Sequence, residues 1–352
     1  MREFMQNIEK DFEKSPIVDF KWHAIEMGLA IIQRCAFGKH EPLGENQYLK
    51  TVFKVFDFEE VCGSWLDSFF AATHDFVKFT HYLYIGTFLT NSTLDERDKE
   101  RIEGKNINRQ PDFLDYLRDS EVDPAEIMDK QKSTLDTKVQ KNLTREELQA
   151  QCIMFLIAGS DTTANATQYC LYELAKHPEE QEKVFEEIEL NINGEEEITY
   201  TTMQSMRQLD WFIKETLRHH PLVQTTNGIA RRAMENTTIG NGIRVDKNVC
   251  VAPNILSIHF DKTLWGEDAD EFHPDRFSPE ESEGRHPMAW LPFGAGPRIC
   301  VGMRFAMQEV KMALIYVLMK YKLEMAPEFQ LNSFGLVIIK PDSLKLQLVE
   351  RK

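Results

Sequence analysis

The chain is short of basic residues: 41 lysines and arginines stand against 57 aspartates and glutamates, which gives its 352 residues a formal net charge of −16. A protein that binds nucleic acid needs a basic surface to neutralise the phosphates. The charge balance therefore argues against a nucleic-acid partner. Hydrophobic residues make up 42% of the chain, which is enough apolar material for a sizeable core and excludes a disordered or fibrous protein.

Cysteines are few and scattered, and no two of them form a Cys-x-x-Cys pair. This distribution matches neither a disulfide framework nor a zinc site, and it favours a reducing compartment. Long apolar runs are also lacking, since no uncharged stretch reaches the roughly 18 residues that a transmembrane helix needs. The chain has no internal repeat and no Gly-x-Gly-x-x-Gly nucleotide fingerprint. We therefore expect a globular protein without a nucleotide site of its own.

The strongest helix signal starts near Thr144, where Thr144 and Glu147 form a capping box. Helical spacing of apolar residues continues to His177-Pro178, where proline ends the helix. The sequence therefore predicts a helix over about residues 145–176. Its middle, Ala158–Thr163, is unusual because Gly, Ser, Asp and two Thr occupy a stretch that should be buried, and Ser and Thr can bond back to the carbonyl four residues earlier. Local rules tend to fail in this way at functional sites.

The rest of the chain predicts a mainly α fold with small β-sheets, in a single domain over residues 1–352. Helices are expected over roughly Met203–His219 and from about Gly302 to Tyr321, and Asp95–Arg109 is expected to be a charged polar loop. Short strands are expected near Arg231–Val251, with an Asn-Gly hairpin turn, and at the C-terminus over Leu336–Leu348.

Most of the chemical information lies in the cysteine loop, residues 293–302, which reads Phe-Gly-Ala-Gly-Pro-Arg-Ile-Cys-Val-Gly. Its glycines let the backbone approach a flat ligand closely. Cys300 lies just before a predicted helix, where the helix dipole and free N–H groups favour a thiolate, and Arg298 is a cation two residues away. A thiolate held in this way beneath a planar ring is what an axial iron ligand requires. The alternative is a buried free cysteine in a glycine turn, the usual fate of a lone cysteine.

Two charged motifs accompany this loop. Glu215 and Arg218 are three residues apart, so they share one helix face and can pair. Arg276 lies in the Pro-Asp-Arg-Phe stretch of a segment, Asp261–Leu291, that is expected to be mostly irregular. A coil of about 30 residues inside a compact domain is usually functional. The alternative for each motif is an ordinary surface ion pair, worth about 0–1 kcal/mol.

The cysteine loop fits the pattern Phe-x-x-Gly-x-Arg-x-Cys-x-Gly, the signature of the cytochrome P450 family, and the chain resembles the animal microsomal members of that family. Three further stretches agree in order: Ala158–Thr163 resembles the family's oxygen-binding stretch, Glu215–Arg218 its ExxR motif and Pro274–Phe277 its PxRF element. The resemblance covers almost the whole chain. It implies one P450-like domain, with the oxygen-binding helix at about 145–176 and the haem-binding loop at 293–302.

The resemblance implies a role for each residue of the cysteine loop and the two charged motifs. Cys300 is the axial ligand of the haem iron. Glu215, Arg218 and Arg276 form a structural triad that holds the loop in place. Arg298 contributes a cation for one of the two haem propionates, which each need a charge-assisted partner.

Further haem and substrate contacts follow from the same resemblance. Arg232 matches the family's strand arginine for the second propionate, with Arg231 as the alternative by one residue of register. Phe293, Gly294 and Gly302 are expected to contact the haem through the loop backbone.

The oxygen-binding stretch and the substrate pocket complete the implied site. In the family the glycine, here Gly159, leaves room over the iron; the acid, Asp161, relays protons; and Thr162 bonds to the bound dioxygen. The alternative for this stretch is a kinked core helix with a satisfied aspartate. The segment Leu222–Asn227 is expected to line the substrate pocket.

The activity that the resemblance implies is that of a haem-thiolate monooxygenase that uses haem b and O2. The expected substrate is a small apolar organic molecule: a lipid, a steroid or a xenobiotic. Electrons are expected from NADPH through NADPH-cytochrome P450 reductase, because the chain has no nucleotide fingerprint. The implied location is the cytoplasmic face of the endoplasmic reticulum membrane, although this chain has no anchor segment.

The chain departs from the family's pattern at one haem contact, because no tryptophan is followed four residues later by the family's arginine. We expect the chain to lack roughly the first third of the fold. Two alternatives to a working monooxygenase therefore stay open. One is a truncated and inactive fragment, and the other is an isomerase or dehydratase of the same family that needs no external electrons.

Overall fold

The structure is a computed structural model, and it describes seven stretches of the chain: residues 1–38, 91–103, 111–120, 143–194, 198–224, 230–335 and 338–351. The chain divides into two compact units. The first unit comprises residues 1–25 and 162–352, and the second comprises residues 26–161. The single domain expected over residues 1–352 stays a prediction.

Helices dominate the described residues, as the sequence predicts. In chain order they are α1 (Arg2–Phe12), α2 (Phe20–Phe37), α3 (91–102), α4 (Phe113–Arg118), α5 (Arg145–Lys176), α6 (Pro178–Asn191), α7 (Tyr200–Ser205), α8 (Arg207–His219), α9 (Ile255–His259), α10 (Lys262–Trp265), α11 (Pro279–Ser282) and α12 (Met303–Leu318). In the part of the chain that is described, no helix is both long and apolar enough to cross a bilayer.

The strands are short and pair antiparallel. They are β1 (Ile17–Asp19), β2 (Arg231–Arg232), β3 (Thr237–Ile239), β4 (Ile243–Val245), β5 (Cys250–Val251), β6 (Tyr321–Met325), β7 (Ser333–Phe334), β8 (Lys340–Pro341) and β9 (Lys345–Glu350). A three-stranded sheet has the order β1-β9-β6, and three separate ribbons pair β2 with β5, β3 with β4, and β7 with β8. The Asn-Gly turn lies where the sequence predicts it, between β3 and β4, with positive φ at Gly240 and Gly242. The predicted C-terminal strands are confirmed within residues 338–351, whereas residues 336 and 337 lie outside the described residues.

The predicted loop over Asp95–Arg109 is wrong where it can be compared, because residues 91–102 are helical. Leu94 and Arg97 share the buried face of this helix. The Arg97 guanidinium donates to Asp112 Oδ2 at 2.7 Å and to the Phe37 carbonyl at 3.0 Å. The charged side chains that make the segment look like a loop therefore include one that is anchored in the interior of the second unit. Residues 104–109 lie outside the described residues.

The single helix predicted over Met203–His219 is wrong at Met206, whose extended ψ of 102° separates α7 from α8. Glu187 of α6 explains the break. Its Oε1 accepts the backbone N–H groups of Arg207 and Gln208 at 2.7 and 3.1 Å, and its Oε2 accepts that of Leu209 at 2.9 Å. These three N–H groups belong to the first turn of α8, where no intrahelical acceptor exists. A carboxylate from a neighbouring helix thus caps α8, and the negative charge is also favourable at the positive end of the helix dipole.

The interior of the first unit contains an ion pair between α8 and α12. The ammonium group of Lys311 is almost fully buried and lies 2.8 Å from Asp210 Oδ1. The same ammonium donates to the Met203 carbonyl at 3.2 Å. The apolar face of α12, including Leu314 and Val317, is fully buried. This packing fixes α12, and with it the loop that precedes α12, against α8.

Candidate functional site

The cysteine loop makes a tight turn before α12. Gly294 and Gly296 have φ angles of +70° and +73°, a region that side chains with a Cβ rarely adopt. The Gly294 N–H donates to the Leu291 carbonyl at 3.0 Å, and the Cys300 N–H donates to the Phe293 carbonyl at 2.9 Å. The two glycines are therefore required by the backbone conformation that returns the chain from Leu291 to Cys300.

Cys300 lies on the outside of this turn, three residues before the start of α12. Its side chain is exposed, and the flanking Ile299 and Val301 are 44% and 84% exposed. The N-cap residue of α12 is Gly302, which has no side chain that could cap the first N–H groups of the helix. An accessible sulfur between apolar side chains at the positive end of a helix fits the axial face of an apolar, planar, iron-containing ligand. The alternative of a buried free cysteine is wrong, because Cys300 is exposed.

The other predicted haem contacts are also exposed or half-buried. Arg298 lies in a 3-10 turn (Gly296–Arg298), and Arg232 lies on β2 opposite Cys250. Both arginines are exposed, and neither forms an ion pair with a residue in the described stretches. These two guanidinium groups could each pair with one haem propionate, which requires a cationic partner. Arg231, the alternative to Arg232, donates to the Ala230 carbonyl at 3.0 Å.

Phe293 and Gly302 take ordinary structural positions. The Phe293 ring is half-buried and meets the Trp290 ring edge-on, with 6.0 Å between centroids. Gly302 has a φ of −84°, which any residue adopts. A Cβ at Gly302 would contact only the Cys300 sulfur, at an unstrained 3.9 Å. The backbone conformation therefore gives no reason for glycine at this position.

The ExxR motif forms a fully buried ion pair on α8. Arg218 Nε donates to Glu215 Oε2 at 2.7 Å, and Arg218 Nη2 donates to Glu215 Oε1 at 2.8 Å. Burial alone would raise the pKa of Glu215, but hydrogen bonds from Arg218 and His219 outweigh it and lower the pKa to about 2. The carboxylate is thus ionised at pH 7, and the alternative of a surface ion pair is wrong for this motif because both side chains are 0% exposed.

The remaining donors of Arg218 bind the backbone of the segment that precedes the cysteine loop. Arg218 Nη1 donates to the His259 and Ala269 carbonyls at 2.8 and 2.7 Å, and Nη2 donates to the Glu271 carbonyl at 3.1 Å. The guanidinium carbon also lies 5.0 Å from the centre of the Trp265 ring, within the range of a cation–π contact. One arginine therefore fixes three positions of a segment with little regular structure.

Arg276 lies next to this pair but has a partner that the sequence did not reveal. Its Nε lies 3.5 Å from Glu215 Oε1, while its Nη2 donates to Asp268 Oδ2 at 2.7 Å. Its Nη1 donates to the Trp265 carbonyl at 2.9 Å. The three predicted triad residues are together, but the hydrogen bonds of Arg276 go to Asp268 and to the backbone. Nothing in the local sequence around Asp268 distinguishes it from the other acidic residues of that segment.

Sequence reasoning also missed two side chains that connect α8 to the start of the cysteine loop. The His259 ring, which is 0% exposed, bonds to the Arg218 carbonyl at 3.1 Å and to the Leu291 N–H at 2.9 Å. The Trp290 indole Nε1–H donates to the Lys214 carbonyl at 3.0 Å. A signal was available for His259, because a histidine at the end of a short, mostly apolar helix must satisfy two ring nitrogens when it is buried.

The oxygen-binding stretch lies within α5, which ends as predicted at Lys176. Ser160 Oγ donates to the Leu156 carbonyl at 2.7 Å, so the predicted bond to the carbonyl four residues earlier is present. Asp161 is almost fully buried and Thr162 is half-buried. Within the second unit, a Cβ at Gly159 would lie 2.9 Å from Ile32 Cδ1, so close packing against α2 explains this glycine. In the predicted pocket segment, residues 225–227 lie outside the described residues.

Comparisons with known proteins agree with this geometry. The family model for cytochrome P450 matches residues 1–348. The Caenorhabditis elegans cytochrome P450 cyp-13B1 is 35% identical over 268 residues, which cover 75% of this chain and 50% of that protein. CYP13A3 of the same organism is 30% identical over 368 residues, which cover 99% of this chain and 70% of that protein. This chain thus spans half to about two thirds of the length of these relatives.

Solved structures show the same fold. A crystal structure of cytochrome P450 CYP102L1 superposes with a TM-score of 0.79 at 25% identity, covering 99% of this chain and 72% of that chain. The haem domain of cytochrome P450DA superposes with a TM-score of 0.76 at 22% identity and the same coverage. The family match along nearly the whole chain and these superpositions agree with the exposed cysteine on its glycine turn and with the buried ExxR pair. The chain therefore belongs to the cytochrome P450 family, in which haem-thiolate monooxygenase is the general activity.

Proposed function

We propose that this chain belongs to a haem-thiolate monooxygenase in which Cys300 is the axial ligand of haem b. The observation that carries the proposal is the placement of Cys300, an exposed thiol on a two-glycine turn directly before the N-terminus of α12. Bound haem would supply the iron at which O2 is activated, and a thiolate ligand donates electron density that favours O–O cleavage.

The cationic residues around the loop would hold the acidic edge of the haem. Arg298 and Arg232 are exposed and have no ion-pair partner in the described stretches, so their guanidinium groups are available for the two propionates. Phe293 and Gly294 would contribute the half-buried apolar ring and the close-approaching backbone of the cysteine loop. The buried Glu215–Arg218 pair, with Arg276 and Asp268 beside it, would hold the preceding segment in place.

Protons would be supplied from α5. Asp161 is a buried carboxyl group in a helix interior, and Thr162 follows it with a half-buried hydroxyl. In this role Asp161 would pass protons towards the reacting oxygen, and Thr162 would bond to the bound dioxygen. The acid–threonine pair favours oxygen activation over the alternative isomerase or dehydratase activity, which needs no proton delivery of this kind.

The wider setting follows from family resemblance. We infer a small apolar organic substrate: a lipid, a steroid or a xenobiotic. We also infer electrons from NADPH through NADPH-cytochrome P450 reductase, and a location on the cytoplasmic face of the endoplasmic reticulum membrane.

A reduced-plus-CO difference spectrum of the haem-reconstituted chain tests the ligand. Cys300→Ala should abolish the haem-thiolate Soret band, because it removes the sulfur. Cys35→Ala and Cys250→Ala are matched controls, since both remove an exposed cysteine side chain, and they should leave the band intact. Retention of the band in Cys300→Ala would show that another residue binds the iron.

A turnover experiment separates the activities. With the reductase present, product from an apolar test substrate should require both NADPH and O2. Asp161→Asn should lower the product formed per NADPH consumed, because protons would arrive more slowly. Conversion of an organic peroxide into its own isomer or dehydration product, without NADPH and without oxidation of the test substrate, would instead identify an isomerase or dehydratase.

A further inference from the structure

His259 links the buried ion pair of α8 to the first residue of the turn that leads to the cysteine. The ring bonds on one side to the Arg218 carbonyl, 3.1 Å from Nδ1, and on the other to the Leu291 N–H, 2.9 Å from Nε2. His259 is the last residue of α9, and its side chain is fully buried. Both ring nitrogens are therefore used, one for each segment.

The chemistry of the two partners determines the protonation state of the ring. A carbonyl oxygen can only accept, so Nδ1 carries the hydrogen, and a backbone N–H can only donate, so Nε2 must be the unprotonated acceptor. Burial lowers the pKa of His259 to about 4, so the imidazole is neutral at pH 7, as this arrangement requires. Neither lysine nor arginine could accept from the Leu291 N–H, methionine could not donate to the Arg218 carbonyl, and leucine could bond to neither partner.

The link to Arg218 is reciprocal. The side chain of Arg218 donates to the His259 carbonyl at 2.8 Å, while the side chain of His259 donates to the Arg218 carbonyl. On the other side, the Leu291 carbonyl accepts from Gly294, and the Phe293 carbonyl accepts from Cys300. A continuous path of hydrogen bonds and short backbone steps therefore runs from the Glu215–Arg218 pair to the backbone of Cys300, and the His259 ring is its one side-chain link after Arg218.

We propose that His259 is a positioning residue that fixes Leu291 relative to the Glu215–Arg218 pair and so holds the backbone of Cys300 in the conformation that binds iron. The inference rests on the proposed function, because a fixed conformation of Cys300 matters only if Cys300 binds iron. It extends the predicted triad by a residue that contacts neither Glu215 nor the cysteine itself.

Two substitutions of similar chemistry and different length test the proposal. His259→Gln retains a donor and an acceptor at about the reach of the imidazole, whereas His259→Asn carries the same amide too close to the backbone to reach both partners. Leu346→Ala, in the core of the β1-β9-β6 sheet, is the matched control for general destabilisation, because Leu346 is 0% exposed and distant in sequence from the loop. The measurements are amide hydrogen exchange across residues 290–300 and the fraction of bound haem that shows the thiolate Soret band.

We expect His259→Asn to speed exchange at Leu291 about tenfold to a hundredfold relative to Leu346→Ala, because the N–H of the half-buried Leu291 loses its acceptor. The thiolate fraction should fall in the same variant, and His259→Gln should restore both readouts towards the unaltered protein. Equal exchange at Leu291 in His259→Asn and Leu346→Ala would overturn the proposal. Should His259→Asn not fold, the unaltered protein decides: a Leu291 amide that exchanges as freely as an exposed amide overturns the proposal, and a protected one supports it.

The exchange comparison is independent of the cofactor. If the unaltered chain showed no thiolate band at all, the proposed function would fail, while exchange at Leu291 would still decide whether His259 positions the loop. If the band were present and His259→Asn left its fraction unchanged despite faster exchange, the link from Leu291 to Cys300 would be refuted and the proposed function would stand.

Discussion

Removal of the Glu215 carboxylate should destabilise the protein more than any surface change, because Glu215 is the anion that compensates a fully buried arginine. Two hydrogen bonds to Arg218 and one from the His273 N–H, at 2.8 Å, would be lost in Glu215→Ala. Breaking a buried ion pair by removing one partner costs about 3–5 kcal/mol. We expect a loss of that size from the free energy of unfolding, which for a typical protein is only about 5–15 kcal/mol.

The lowered pKa of Glu215, which arises from the same contacts, gives a magnitude of the same order. The shift from 4.5 to about 2 corresponds to about 3 kcal/mol of stability at pH 7, at 1.36 kcal/mol per pKa unit. Because the pKa is lowered in the folded state, this stability is present above pH 4.5 and is lost as the pH falls from 4.5 towards 2. Glu215→Gln, which keeps the shape of the side chain and removes the charge, should therefore lose about 3 kcal/mol at pH 7. Its difference from the unaltered protein should shrink as the solution is acidified.

The assay is urea unfolding of the purified chain, followed by tryptophan fluorescence at several pH values. Glu271→Gln is the matched control: its side chain is exposed, and the Glu271 carbonyl that binds Arg218 is retained. The control should change the free energy of unfolding by less than about 0.5 kcal/mol, as expected for a surface substitution. A Glu215→Gln protein within 1 kcal/mol of the unaltered one, or a difference that stays constant from pH 7 to pH 3, would refute the reasoning.

Two further substitutions test the contacts that hold α8. Asp210→Asn should leave the buried ammonium of Lys311 without its anion and lower the free energy of unfolding by about 3 kcal/mol. Lys214→Ala removes a more exposed partner of the same carboxylate and should cost only about 0–1 kcal/mol. Equal losses for the two variants in urea unfolding would contradict this ranking. Glu187→Ala should lower the free energy of unfolding by about 1–2 kcal/mol because α8 loses its cap. The same substitution at the exposed neighbour, Glu186→Ala, should leave the free energy of unfolding almost unchanged. A Glu187→Ala protein that melts like the unaltered one in circular dichroism would show that the capping bonds do not stabilise the helix.

Local patterns in the sequence predicted those parts of the fold that depend on neighbouring residues. The capping box at Thr144 and the proline at 178 fixed the limits of α5, and the structure shows both bonds of the box, from Glu147 N–H to Thr144 Oγ1 at 3.2 Å and from Thr144 N–H to Glu147 Oε2 at 2.9 Å. The Asn-Gly pair predicted the turn between β3 and β4 because the preference of glycine for positive φ is a local property that does not depend on distant residues. The spacing of Glu215 and Arg218 on one helical face likewise predicted their pairing.

Predictions failed where a distant side chain decides the local structure. The segment at residues 91–102 is as rich in charged residues as a loop, but it is helical. The Arg97 side chain is buried and donates a hydrogen bond to Asp112, and this contact is with a residue outside the segment. The break at Met206 depends on Glu187, about 20 residues earlier, and no local rule reveals that this carboxylate caps α8.

The sequence by itself determined the family motifs of this protein: the cysteine on its glycine turn, the ExxR pair, and the long helix with its polar interruption. Each of these is set by conformational preferences or spacing within a few residues. Only the tertiary structure decided which side chains hold the motifs in place: Asp268 as the partner of Arg276, and His259 as the connection between Arg218 and Leu291. The physical reason is that a buried donor takes whichever acceptor the packed chain brings within about 3 Å, and that distance is a property of the fold as a whole.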